Sequence, residues 1–167
     1  VMVNKALGPV LQTAQFGPSG TYLSLLFNMD TNRRGHDVQA HFHCENEIVR
    51  CCSSYPSNQC SSCSFGSESF CAWHTDDELR VYISTDSTVG VDHQLEIQSR
   101  EAFLNADENS VPASSAAPVR VLPPQNVIDP TVRLAYAPVQ ASCDPMVVDA
   151  SGSSGAGGRP FESFSFV

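Results

Sequence analysis

A chain of 167 residues with 41% apolar and 16% charged side chains is long enough for one domain that buries roughly 70% of its unfolded surface, and too apolar to be disordered throughout. Eighteen acids against nine bases leave a net charge of −9, which excludes the basic stripe that a nucleic-acid backbone requires and gives no attraction to anionic lipid. No apolar run approaches the ~20 residues of a membrane-spanning helix, and the opening VMVNKALGPVLQTAQFG holds no basic segment followed by a long apolar one, so no signal peptide is expected in it.

Strand signals follow one another along the chain, whereas apolar residues at helical spacing never persist beyond about two turns. TYLSLLFNM (21–29) is apolar and aromatic. DVQAHFHC (37–44) alternates Val38, Ala40, Phe42 and Cys44 against polar neighbours, which predicts Val38 and Phe42 in the core and His41 and His43 on the opposite, solvent-facing side. EIVRC (47–51), ELRVYIS (78–84), STVGV (87–91), HQLEIQ (93–98), VRVL (119–122), TVRLAYAPV (131–139) and FESFSFV (161–167) complete the set. Between them lie a Ser/Cys-rich loop (51–69) and a flexible Gly/Ser-rich loop (149–158). Short strands bounded by turn residues predict an all-β, antiparallel two-sheet sandwich formed as one domain over residues 1–167.

Seven cysteines are present, six of them between Cys44 and Cys71. That density predicts a disulfide patch in an oxidising, extracellular setting, with at least one thiol left over. The rival reading is zinc held by His41 and His43 with Cys52, or with Cys60 and Cys63. It supplies only one paired cysteine spacing, and adjacent Cys51 and Cys52 point to opposite faces of a strand, so no metal and no cofactor are expected. Trp73 reads as a core aromatic, and the acidic HTDDE (74–78) as a solvated turn. No nucleophile elbow or phosphate-cradling loop occurs, so an enzyme is not expected.

GHDVQAHFHCENEIVRCC (35–52) resembles the core of the galectin family, a Gly-x-Asp-Val-x-x-His-Phe-Asn-Pro-Arg strand followed by Ile-Val-Cys-Asn. Gly35, Asp37, Val38, His41 and Phe42 match in place. FGSE (65–68) is similar to the family's Trp-Gly-x-Glu, with Phe65 for Trp, and ELRVYISTDSTVGVDHQLEI to the strand pair that follows. The resemblance implies a jelly-roll sandwich with a sugar site on one concave face, made here of His41, His43, Glu45, Arg50, Cys52, Phe65 and Glu68. Within it, Phe65 takes the place of the stacking Trp, Glu45 that of an Arg, and Phe70 that of a second Arg. A carboxylate at 45 accepts where the family donates, so simple lactose is expected to bind weakly, and donor-rich sugars such as amino sugars better. The expected partners are glycans or glycoproteins. The alternative is a structural, self-associating extracellular protein that has given up the sugar.

Overall fold

The computed structural model describes residues 7–44, 49–52, 63–97, 105–107, 118–136 and 147–155, with the backbone alone for 49–52. Its sheet grows outward from TYLSLLF. Leu23, Leu25 and Phe27 are buried while Tyr22, Ser24 and Leu26 point the other way, the period-two pattern of a strand with one face in a core. This strand, β2 (Tyr22–Phe27), pairs antiparallel with β1 (Leu11–Phe16) on one side and with β5 (Glu78–Tyr82) on the other. Along β5, Leu79 and Val81 are fully buried. β4 (Phe70–Trp73) pairs with β5 and turns Cys71 and Trp73 inward.

On the far side of β1 come β7 (Val119–Leu122), β6 (Gln94–Ile97) and β3 (Val49–Cys52), giving a seven-stranded sheet of order β3-β6-β7-β1-β2-β5-β4. A separate pair, β8 (Ala135–Tyr136) with β9 (Val148–Asp149), forms a second small sheet. The protein is thus almost entirely β, with one 3₁₀ turn at Arg33–Gly35 among the described residues. Among the described strand pairs one departs from an antiparallel plan, β1 running parallel to β7 through Ala14↔Val121 and Gln15↔Leu122. Apart from Ala72, the buried apolar residues of β1, β2, β4, β5, β6 and β7 belong to one cluster, so the sheet curls round its own core. Trp73 lies fully buried there with its ring 5.8 Å from Phe27.

Three strands, β1, β4 and the two-residue β9, were not anticipated from the sequence, and β9 runs into the start of the expected Gly/Ser-rich loop. In β1 the register passes from Leu11↔Phe27 directly to Thr13↔Leu26, so Gln12 is an extra residue in a β-bulge. The bulge puts Leu11 and Ala14, three positions apart, on the same buried face and hides the alternation from a reader of the sequence. β4 is only four residues long and merges with the loop preceding it.

Three expectations need correction. Residues 37–44 are not a strand: a turn closes at Ala40 N–H to the Asp37 carbonyl, and Gln39 sits at a φ of 66°. Only single bridges, Val38↔Trp73 and Phe42↔Cys71, tie the segment to β4. Val38 is consequently exposed and not core, while Phe42 is half-buried against the core with its ring stacked 4.0 Å from His36. Residues 87–91 form no strand, although Val89 is fully buried, and of the expected strand 131–139 the described part, 131–136, pairs as a strand only at Ala135–Tyr136. The expected strand at 161–167 lies outside the described residues.

Candidate functional site

The outward face of β2, β5 and β4 carries what the core does not use. Since Leu23 and Val81 pair in register and are buried, their neighbours Tyr22 and Tyr82, also in register, must face outward together. Phe70 pairs with Tyr82 from the other side. Alongside β4, the Phe42↔Cys71 bridge holds exposed His41 against Phe70. The result is a row of four rings across four segments. His41 stacks on Phe70 at 4.1 Å, Phe70 on Tyr82 at 4.7 Å, and Tyr82 meets Tyr22 at 5.7 Å. Gly17 lies beneath the Tyr22 ring, in a space that any Cβ would take from it.

One step along the strands, polar groups line up beside the rings. Glu78 Oε1 accepts from Arg80 Nε at 2.9 Å and from Ser24 Oγ at 2.8 Å, and the Arg80 guanidinium sits 4.9 Å from the Tyr22 ring centre. Burial opposes the charge of Arg80, but the hydrogen bond and attraction from Glu78, with a further hydrogen bond to Tyr82, hold its pKa above the ordinary guanidinium value. The cation is therefore permanent and fixed in orientation.

Two clefts flank this ridge. The first, about 270 Å³, is walled by Gln39, His41, His74, Arg80 and Tyr82, and exists because Ala72 stands between larger neighbours on β4 and leaves a low floor. The second, about 170 Å³, is lined by Gln15, Gly17, Tyr22, Ser24, Glu78 and Asn126 among others. Rings that offer apolar faces, set beside directional donors and acceptors, are what a sugar's C–H faces and hydroxyls require.

This is not the constellation the sequence pointed to. His41 belongs to it. His43 is exposed beside buried Cys44 but lines neither cleft. Phe65 is 1% exposed and part of the core, so it presents no ring to a ligand; its place on a concave sugar face is corrected. Glu68 is exposed in the turn closed by Ser69 N–H to the Gly66 carbonyl and lines neither cleft. Arg50 and Cys52 lie on β3, at the opposite end of the strand order from β4. Glu45 lies outside the described residues. Phe70, read as a lost arginine position, is instead the middle of the aromatic row. Tyr22, Tyr82, Glu78 and Arg80 were missed, although the alternation in TYLSLLF and ELRVY already put them on one outer face.

Cys44 and Cys71 are joined in a disulfide with Cα atoms 5.2 Å apart, and Cys63 is also in a disulfide. The Cys44–Cys71 link fastens the segment carrying His41 to the strand carrying Phe70. Among the described residues, no three His, Cys, Asp or Glu side chains gather as a metal site. In the acidic turn, Asp77 accepts from Thr75 Oγ at 2.6 Å and Asp76 pairs with Arg33 at 3.4 Å. No described helix is long and apolar enough to cross a membrane. Comparison with protein-family models, curated proteins and solved structures finds no match for this chain.

Proposed function

We propose that this is a non-catalytic, extracellular glycan-binding domain, a divergent lectin, whose binding face is the row His41–Phe70–Tyr82–Tyr22 with its flanking Glu78–Arg80 pair. The observation that carries the reading is the row itself: stacked rings on an outward sheet face, next to a cation and a carboxylate that already hold each other in place. Solvent-facing aromatic rings contribute nothing to the core cluster, so their alignment calls for a ligand. Disulfides at Cys44, Cys71 and Cys63 support a secreted setting. The resemblance to the galectins rests on the match at Gly35, Asp37, Val38, His41 and Phe42, and the sugar site proposed here shares with that family's face only His41 and the position of Phe70.

The test is a glycan array probed with oxidised protein, run beside Phe70→Ala and Tyr82→Ala. Binding to a defined set of oligosaccharides, reduced at least ten-fold in both variants, is expected. Equal binding by all three proteins would place the site elsewhere.

One observation favours a second reading, lateral self-association. Val132, Tyr136 and Val147, on or near β8 and β9 in the chain, are 65%, 62% and 73% exposed. Large exposed apolar side chains on one small sheet suit a contact surface.

A further inference from the structure

The two clefts beside the aromatic row differ in chemistry, and the difference bears on which sugars fit. This inference rests on the glycan-binding reading and adds the ligand class. Around the Ala72 floor, Gln39, His41, His74 and Arg80 all bring N–H donors, and none of the described residues lining this cleft is a carboxylate. Arg80 commits its Nε to Glu78, and a guanidinium with five N–H groups keeps others for a ligand. Glu78 itself lines the second cleft, together with the carboxamides of Gln15 and Asn126 and the hydroxyls of Ser24 and Tyr22. Arg80 and Glu78 thus form a partition with the cation on one side and the anion on the other.

We infer that the ligand is an oligosaccharide bearing an acidic group, with its carboxylate or sulfate in the Ala72 cleft and an adjoining uncharged unit in the Glu78 cleft. The paired N–H groups of a guanidinium match two oxygens of either anion, and a cation among further N–H donors with no carboxylate in the lining suits an anionic group better than a neutral hydroxyl. On the other side of the partition, Glu78 repels a second anion and accepts from hydroxyls. Because the whole chain carries a net charge of −9, such selectivity must come from this local arrangement and not from long-range attraction.

Calorimetric titration of the full, oxidised chain with two matched pairs tests this: a hyaluronan tetrasaccharide against its carboxyl-reduced counterpart, and a sulfated carrageenan tetrasaccharide against its desulfated one. At least a ten-fold preference for the anionic member of one or both pairs is expected, and the pair showing it identifies the group. Ala72→Leu, which raises the floor on the outer face, should abolish the preference by weakening the anionic members, and a preference kept in full would overturn the placement of the acidic group in this cleft. Arg80→Gln should do the same without filling space, so a folding defect in one variant does not decide the matter. Equal affinity within both pairs overturns the acidic-ligand inference and leaves the sugar reading standing. Absence of binding to all four by a folded protein overturns both.

Discussion

Single residues set the quality of the binding face. Phe70 and Tyr82 stack at 4.7 Å on the outer surface while their chain neighbours Cys71 and Val81 fill the core. Phe70→Ala is therefore expected to cost stability on the scale of its two ring contacts, to His41 and Tyr82, about 1–3 kcal/mol, less than a core phenylalanine at ~3–5 kcal/mol. Urea unfolding of the variant checks this, and a loss in the core range would mean that the ring is structural. Gly17→Ala acts on the same face from below, since its methyl group must displace the Tyr22 ring. A further residue-scale device lies at Asp86, whose carboxylate accepts from Ser84 Oγ and from Ser67 N–H and so has its pKa lowered from 3.8 to about 2. Because the folded value lies below the unfolded one, its stabilising contribution is complete above pH 3.8 and is lost as pH falls through about 2. A carbon-13 NMR titration should place the Asp86 inflection near 2, and one near 4 would show that these hydrogen bonds do not form. The same pocket explains Gly66, at a φ of 100° against the Ser84 and Asp86 side chains, where alanine is strained and crowded.

At the scale of elements, the segment bearing His41 is held to β4 by two bridges and one disulfide. Cys44 and Cys71 are 27 positions apart, and closing such a loop contributes roughly 3–4 kcal/mol through the unfolded chain. The Cys44→Ser, Cys71→Ser double variant should lower the midpoint of thermal unfolding and also weaken glycan binding, because His41 loses its anchor beside Phe70. Scanning calorimetry and binding titration read the two effects separately, and unchanged affinity would show that the bridges alone position His41. In β1, deleting Gln12 removes the bulge and leaves Leu11 and Ala14 two positions apart in regular alternation, so both stay on the buried face. The loss of stability is expected to fall below the about 1.5–3 kcal/mol of exposing Leu11, read as a shift in the urea midpoint at constant slope, and a loss in that range would show that the register has slipped.

For the molecule as a whole, the all-β character was legible because β2 and β5 obey period two without interruption, and the inward Leu23, Leu25, Leu79 and Val81 could be read from spelling alone. The outer face was legible by the same rule, yet attention to His41, His43 and the cysteines drew the site toward Phe65 and β3. Phe65 sits in a polar, serine-rich context that suggests exposure, and only tertiary packing makes it 1% exposed. The segment 37–44 alternates as a strand should, but local patterning does not reveal the turn at Gln39. The parallel pairing of β1 with β7 joins residues over a hundred positions apart and leaves no local mark on either strand. At this scale the self-association reading is also decided: a sedimentation experiment should show mass rising with concentration if the exposed face around Tyr136 is a contact surface, and a constant monomer mass would set that reading aside.

The central claim is that sugar meets the protein on the His41–Phe70–Tyr82–Tyr22 row. Chemical-shift mapping with the strongest oligosaccharide from the array tests it most directly, because each segment reports separately. The account predicts that perturbations concentrate on Tyr22, His41, Phe70, Arg80 and Tyr82 and spare the turn at Glu68 and the strand carrying Arg50. Perturbations centred on Glu68 and Arg50, with the aromatic row unmoved, would contradict it.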